Sequence, residues 1–127
     1  MKMSERENLY CKVFMDFNGE ISDADKLIAM LTKGSIVHSW GLIETQCAEL
    51  DVRRNDDFKT PKELRSTDPA NTFLFWKYYI DIEPKEDAER QMYISMISQL
   101  LLDLWGQSID VVAACGFEDE LPDKPQF

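Results

Sequence analysis

Residues spaced as a catalytic set are scarce in this chain. His38 is the single histidine, and a Ser-His-Asp or Cys-His site would have to use it. It lies in SIVHSWG, with no nucleophile motif around it. Cys11, Cys47 and Cys115 are scattered and form no C-x-x-C pair. Structural zinc needs several Cys and His ligands at close spacing, which these do not supply. Asp16-Phe17-Asn18-Gly19-Glu20 looks at first like a calcium loop, but an EF-hand needs Gly at its sixth position and Glu at its twelfth. Those positions hold Ile21 and Leu27. Neither phosphate-binding glycine motif is present. Asp81 with Glu83, and Glu118 with Glu120, are carboxylate pairs that could exchange protons. They lie in acidic runs where solvated charge is the ordinary outcome. The sequence therefore predicts no enzyme, no metal and no cofactor.

Binding chemistry is better supplied. The 127 residues carry 14 basic and 24 acidic side chains, a formal net charge of -10. Such a field repels nucleic acid and anionic membranes and attracts basic surfaces. It also serves plain solubility. The acidic candidates are Glu49, Asp51, Asp56, Asp57, Asp81, Glu83, Glu118, Asp119 and Glu120, several of which should converge near one edge of a sheet. A second candidate surface is aromatic: Tyr10, Lys12, Phe14 and Asp16 beside Phe73, Phe75, Lys77 and Tyr79. An uncovered sheet face is normally polar, so these rings mark either an interface or a surface that the long loop or the tail covers. The same rings would also suit a homodimer.

The elements that must position these residues read as β-α-β-β-α-β. Tyr10–Phe17 alternates as a strand. Ser22–Lys33 reads as a helix, with Ser22 as cap, Asp25 closing the box, Gly34 as terminator and Leu27, Ile28 and Leu31 as the buried stripe. Ser35–Arg53 holds a second strand region, in which Ala48, Leu50 and Val52 alternate and Gly41 marks a bend. Residues 55–71 are polar and turn-rich, with Thr60, Pro61 and Glu63 opening a short helical turn. Thr72–Glu83 is the strongest strand by pattern, stopped by Pro84. Lys85–Gln107 is a long helix and Ile109–Cys115 a last strand. This order is that of an α+β, ferredoxin-like fold, an antiparallel sheet with both helices on one face and its first and third strands central. One domain, 1–127, is expected, with 1–8 and 117–127 as surface extensions. Residues 1–8 lack the hydrophobic run of a secretory signal. The uncharged stretch 91–102 is too short to span a bilayer. With an odd number of cysteines in apolar runs, buried free thiols in the cytoplasm are expected.

The segments ELDVRRNDDF, FLFWKYYIDIEP and CGFEDELP resemble small bacterial immunity proteins encoded beside polymorphic or contact-dependent toxins. The likeness spans about Phe17 to Pro122. It implies stoichiometric inhibition of a cognate toxin domain, often a nuclease, whose basic cleft an acidic inhibitor would occupy. Glu118, Asp119 and Glu120 match the terminal acidic motif, which would otherwise be structural and pair with Arg53 or Arg54. The alternatives are a ferredoxin-like small-molecule module and a nucleic-acid binder stacking bases on Phe73 and Phe75. The net charge opposes the latter, so no nucleic acid and no membrane are expected as partners.

Overall fold

The computed structural model describes residues 8–37 and 41–125. His38 falls outside them, as do residues 1–7 and the last two.

Among the described residues six antiparallel strands form one sheet: β1 (Cys11–Asp16), β2 (Ser35–Ile36), β3 (Ile43–Glu44), β4 (Ala48–Arg54), β5 (Tyr78–Pro84) and β6 (Asp110–Cys115). Their order across the sheet is β2-β3-β4-β5-β1-β6. The fold is α+β. Two helices, α1 (Ile21–Thr32) and α2 (Arg90–Gly106), supply the rest of the core. Period-two alternation sends Cys11, Val13, Met15, Leu50, Val52, Tyr78, Ile80, Ile82 and Val111 into that core, where they meet Ala24 and Ile28 of α1 and Tyr93, Ile97, Leu100, Leu101 and Leu104 of α2. Tyr93 brings a hydroxyl with it. That group lies 2.6 Å from the Leu9 carbonyl and 3.1 Å from the Ile82 carbonyl, so its proton has buried acceptors.

Several boundaries differ from expectation. The helix α1 begins one residue before Ser22, at Ile21: Glu20 is the cap, and Asp23, not Asp25, accepts its backbone N–H at 3.3 Å. At the other end Lys33, not Gly34, takes the left-handed conformation at φ 57°. Gly34 is needed for another reason. A Cβ there would lie 2.8 Å from Ile43 Cγ2 and 3.0 Å from the Glu44 carbonyl, so the chain reverses tightly against β3. The region read as one strand from Ser35 to Arg53 is three strands, because Thr45 closes a tight turn: its hydroxyl accepts the N–H groups of Cys47 and Ala48 at 3.3 and 3.0 Å. Helix α2 starts at Arg90, since residues 85–88 first make a turn with Ala88 N–H on the Lys85 carbonyl.

The largest correction concerns Thr72–Glu83. Only Tyr78–Pro84 is strand. Pro69–Phe75 winds as a 3₁₀ segment, capped by Asp68, whose carboxylate accepts the Ala70 N–H at 3.0 Å. Asp before Pro is a helix-start signal, and here it outweighs the aromatic alternation that follows. Asn55 then holds the result. Its amide donates to the carbonyls of Leu74 (2.9 Å) and Trp76 (2.8 Å), taking acceptors that a continued strand would need for its ladder.

The edge strand β6 is closed by side chains. Trp105 Nε1 donates to the Val111 carbonyl at 3.2 Å, and Glu118 accepts the Cys115 N–H at 3.0 Å. The tail beyond it starts from a buried Phe117, set 6.2 Å from the Tyr93 ring, before running exposed through Glu118–Glu120. Among the described residues no helix is long and apolar enough to cross a membrane.

Candidate binding face

The sheet face turned away from the core carries alternate residues of β1, β3, β4, β5 and β6, and the registers place them in rows. The first row is Glu44, Glu49 and Glu83; the second is Asp51, Asp81, Lys12 and Ala114; the third is Arg53, Tyr79, Phe14 and Val112. Three pairs set like charges directly opposite: Glu44 with Glu49, Glu49 with Glu83, and Asp51 with Asp81. Directly opposed like charges destabilise an antiparallel sheet.

The cations nearby relieve this unevenly. Arg53 Nε lies 2.9 Å from Asp51 and 3.6 Å from Asp81. Asp81 also accepts a hydrogen bond from the Tyr10 hydroxyl. Burial, and then that carboxylate, push the Tyr10 phenol well above its ordinary range, so it remains a donor at any physiological pH. Lys85 pairs with Glu44 at 2.9 Å. Lys12 sits 4.1 Å above the Tyr79 ring centre and 5.2 Å from that of Phe14. Among the described residues no cation pairs with Glu49 or Glu83, and both are exposed.

The aromatic candidates occupy the other end of the face. Phe73 reaches it from the 3₁₀ segment, edge-on to Phe14 with ring centres 5.4 Å apart, and Tyr79 lies 6.3 Å from Phe14. Phe14 is therefore only 6% exposed, and Phe73, Phe75 and Tyr79 are half-buried. Of the two readings of the rings, the long loop covering them describes Phe14. Phe75 lies elsewhere, beneath Lys59 at 4.4 Å. Phe73 and Phe75 are thus not adjacent platforms on a strand, as base stacking on the sheet would require.

A cleft of about 440 Å³ opens where β3 ends and β4 continues with β5 on its other side. Ile21, Asp51, Val52, Arg53, Arg54, Asp56 and Tyr79 line it. Asp51, Asp56 and Tyr79 meet there, with Asp81 one strand away. Asp57 is exposed beside it, its N–H on Asn55 Oδ1 at 3.0 Å. The remaining acids are not part of this surface. Glu120 forms a two-pronged ion pair with Arg90 at the start of α2 (2.8 and 2.5 Å), which holds its carboxyl below the usual range. Glu118 caps the Cys115 N–H, and Asp119 is exposed. The acidic motif thus engages Arg90 and the β6 backbone rather than Arg53 or Arg54.

Sequence reasoning placed Lys12 on this face but missed Glu44 and Arg53 as members of it. Glu44 sits in a two-residue strand too short for alternation to register. Arg53 follows Asp51 by two residues, a same-face spacing that would have paired them. Among the described residues no group of three or more His, Cys, Asp or Glu is placed to hold a metal ion.

No protein-family model, curated protein or solved structure matches this chain. Its own geometry is what bears on function.

Proposed function

We propose that this chain is a binding protein that neutralises a basic protein domain, in the manner of a bacterial immunity protein, through the outer face of its sheet. One observation carries the reading: the Glu49–Glu83 pair. Two carboxylates are held directly opposite each other, exposed, with no cation among the described residues to offset them. A fold that keeps an unrelieved repulsion on a flat face is better matched to an incoming Lys or Arg than to water. The net charge of -10 acts in the same direction at longer range, steering basic partners inward. The aromatic end of the face, with Tyr79 and Phe73 half-buried, offers apolar area beside the charge.

The scaffold reading is ferredoxin-like, with an added edge hairpin. It is supported by the sequence β6-β1-β5-β4 within the larger sheet, which sets the first and third long strands at the centre. The hairpin of β2 and β3 extends it on the β4 side.

The test is co-expression with the toxin domain encoded by the adjacent gene, followed by association kinetics of the purified pair. Growth should be restored and a one-to-one complex should form. Glu49→Lys with Glu83→Lys should weaken that complex by on the order of 10- to 100-fold, largely through slower association, and added salt should slow association of the native pair. A complex indifferent to both the double substitution and salt would remove this face from the interface.

A further inference from the structure

We propose that Cys11 and Cys115 form a reversible disulfide that joins the first strand of the sheet to the last. The two residues are register partners across β1 and β6. Which kind of partners they are follows from the hydrogen bonds of β6. The Cys115 N–H points away from β1, to Glu118, and the Val111 carbonyl points the same way, to Trp105. In an antiparallel ladder the residues whose backbone groups turn outward belong to non-hydrogen-bonded pairs, with Cα atoms about 4.5 Å apart. That separation lies inside the roughly 4.4–6.8 Å range that disulfides span, and the side chains are closest at such pairs. Both thiols turn to the core face: Cys11 is fully buried and Cys115 half-buried against the same cluster.

Cys47 is not a competing partner. It precedes β4, and β5 stands between β4 and β1, so about 10 Å of sheet separates it from Cys11. Its sulfur instead lies 4.0 Å from the Thr45 hydroxyl.

The two thiols differ in reach, and this orders the chemistry. Cys115 is the one a reagent can approach. Its thiolate attacks one sulfur of a small disulfide such as oxidised glutathione. A mixed disulfide forms, the reagent's own S–S bond breaks, and one small thiolate leaves and takes up the proton that Cys115 gave up. Cys11 then loses its proton and attacks the Cys115 sulfur, expelling the second small thiol. Two protein thiols are oxidised and one small disulfide is reduced. Burial holds the Cys11 thiol well above its ordinary range, so this second step is the slow one and quickens with rising pH.

The native full-length chain, incubated with oxidised glutathione, alkylated and mapped without reduction, decides the matter. The expected result is a mass lower by two hydrogens and one linked peptide pair containing Cys11 and Cys115. The unfolding midpoint should rise by roughly 10 °C, since the link closes almost the whole chain into a loop, and should fall back on reduction. Cys47→Ser should leave the link intact, and Cys115→Ser should abolish it. A link through Cys47, a mixed disulfide that persists on Cys115, or unchanged mass would each overturn the proposal, and the map of the unsubstituted chain distinguishes them.

Discussion

Asn55→Ala is the substitution that best tests how the long loop is held. Asn55 is only 9% exposed, and its side chain makes three hydrogen bonds: to the carbonyls of Leu74 and Trp76, and from the N–H of Asp57. Each such bond is worth about 1 kcal/mol net, and the partners left behind are only partly reachable by water. The loss should be about 3 kcal/mol, or roughly 10 °C in Tm for a chain of this size. Urea titration followed by circular dichroism measures it, with the slope expected to stay unchanged because the core is untouched. Limited proteolysis adds a local readout. Cleavage within residues 56–76 should accelerate, because these bonds tie that segment to the end of β4. Asn55→Asp is the sharper control. It keeps the acceptor for Asp57 but turns a carboxylate toward two carbonyl oxygens, so it should cost at least as much as alanine. A cost below about 0.5 kcal/mol for Asn55→Ala, the range of an ordinary surface change, would refute the role given to this side chain.

Other outcomes follow from particular contacts. Asp25 has a buried Oδ1 with no hydrogen-bond partner among the described residues, and burial, then repulsion from Asp51, raise its carboxyl above the usual range. A carboxyl whose folded pKa is raised costs stability at neutral pH and returns it as pH falls through that folded value. Asp25→Asn should therefore raise the urea midpoint at about pH 7 and lose most of that gain by about pH 4; an equal gain at both would show that charge is not the cause. Gly41 sits at φ 88°, and a Cβ there would lie 2.5 Å from Asp25 Oδ2, so Gly41→Ala should cost about 1–3 kcal/mol by thermal denaturation. Phe14→Ala should cost about 3 kcal/mol and free Phe73 from the sheet, detectable as faster proteolysis of the 3₁₀ segment; a stability change without faster cleavage would separate the two effects.

The strands and helices that bury their alternate or periodic positions were legible in the sequence. Val13 with Met15, Leu50 with Val52, Ile80 with Ile82, and the Tyr93–Ile97–Leu100–Leu104 stripe keep the period of their elements and are buried, although Phe14 on the other face of β1 and the exposed Met92 and Leu102 of α2 are apolar too. The aromatic run Phe73–Trp76 reads as strand by β propensity, but the Asp68-Pro69 start signal and Asn55, whose partners lie some twenty positions away in sequence, decide its conformation. The start of α1 is hidden in the sequence because Ser is a commoner cap than Glu, and only the geometry shows Asp23 reaching back to residue 20. For the candidate face, the acids were legible and their pairing was not. That Glu49 opposes Glu83, and Asp51 opposes Asp81, depends on register, which the two strands settle together and neither states alone. The same limit hid the opposition of Cys11 and Cys115 at the two ends of the chain.

Trp105 and Glu118 have a consequence for crowded solutions. Sheets recruit further strands, including those of their own copies, along any border with several successive unpaired rungs. On this border Trp105 has taken the Val111 carbonyl and Glu118 the Cys115 amide, so the rungs on either side of Ala113 each have one of their two outward groups engaged. A second molecule arriving side-on meets a border already partly taken, and two side chains whose other duties are to pack against the core and to begin the tail thereby make strand addition there less favourable.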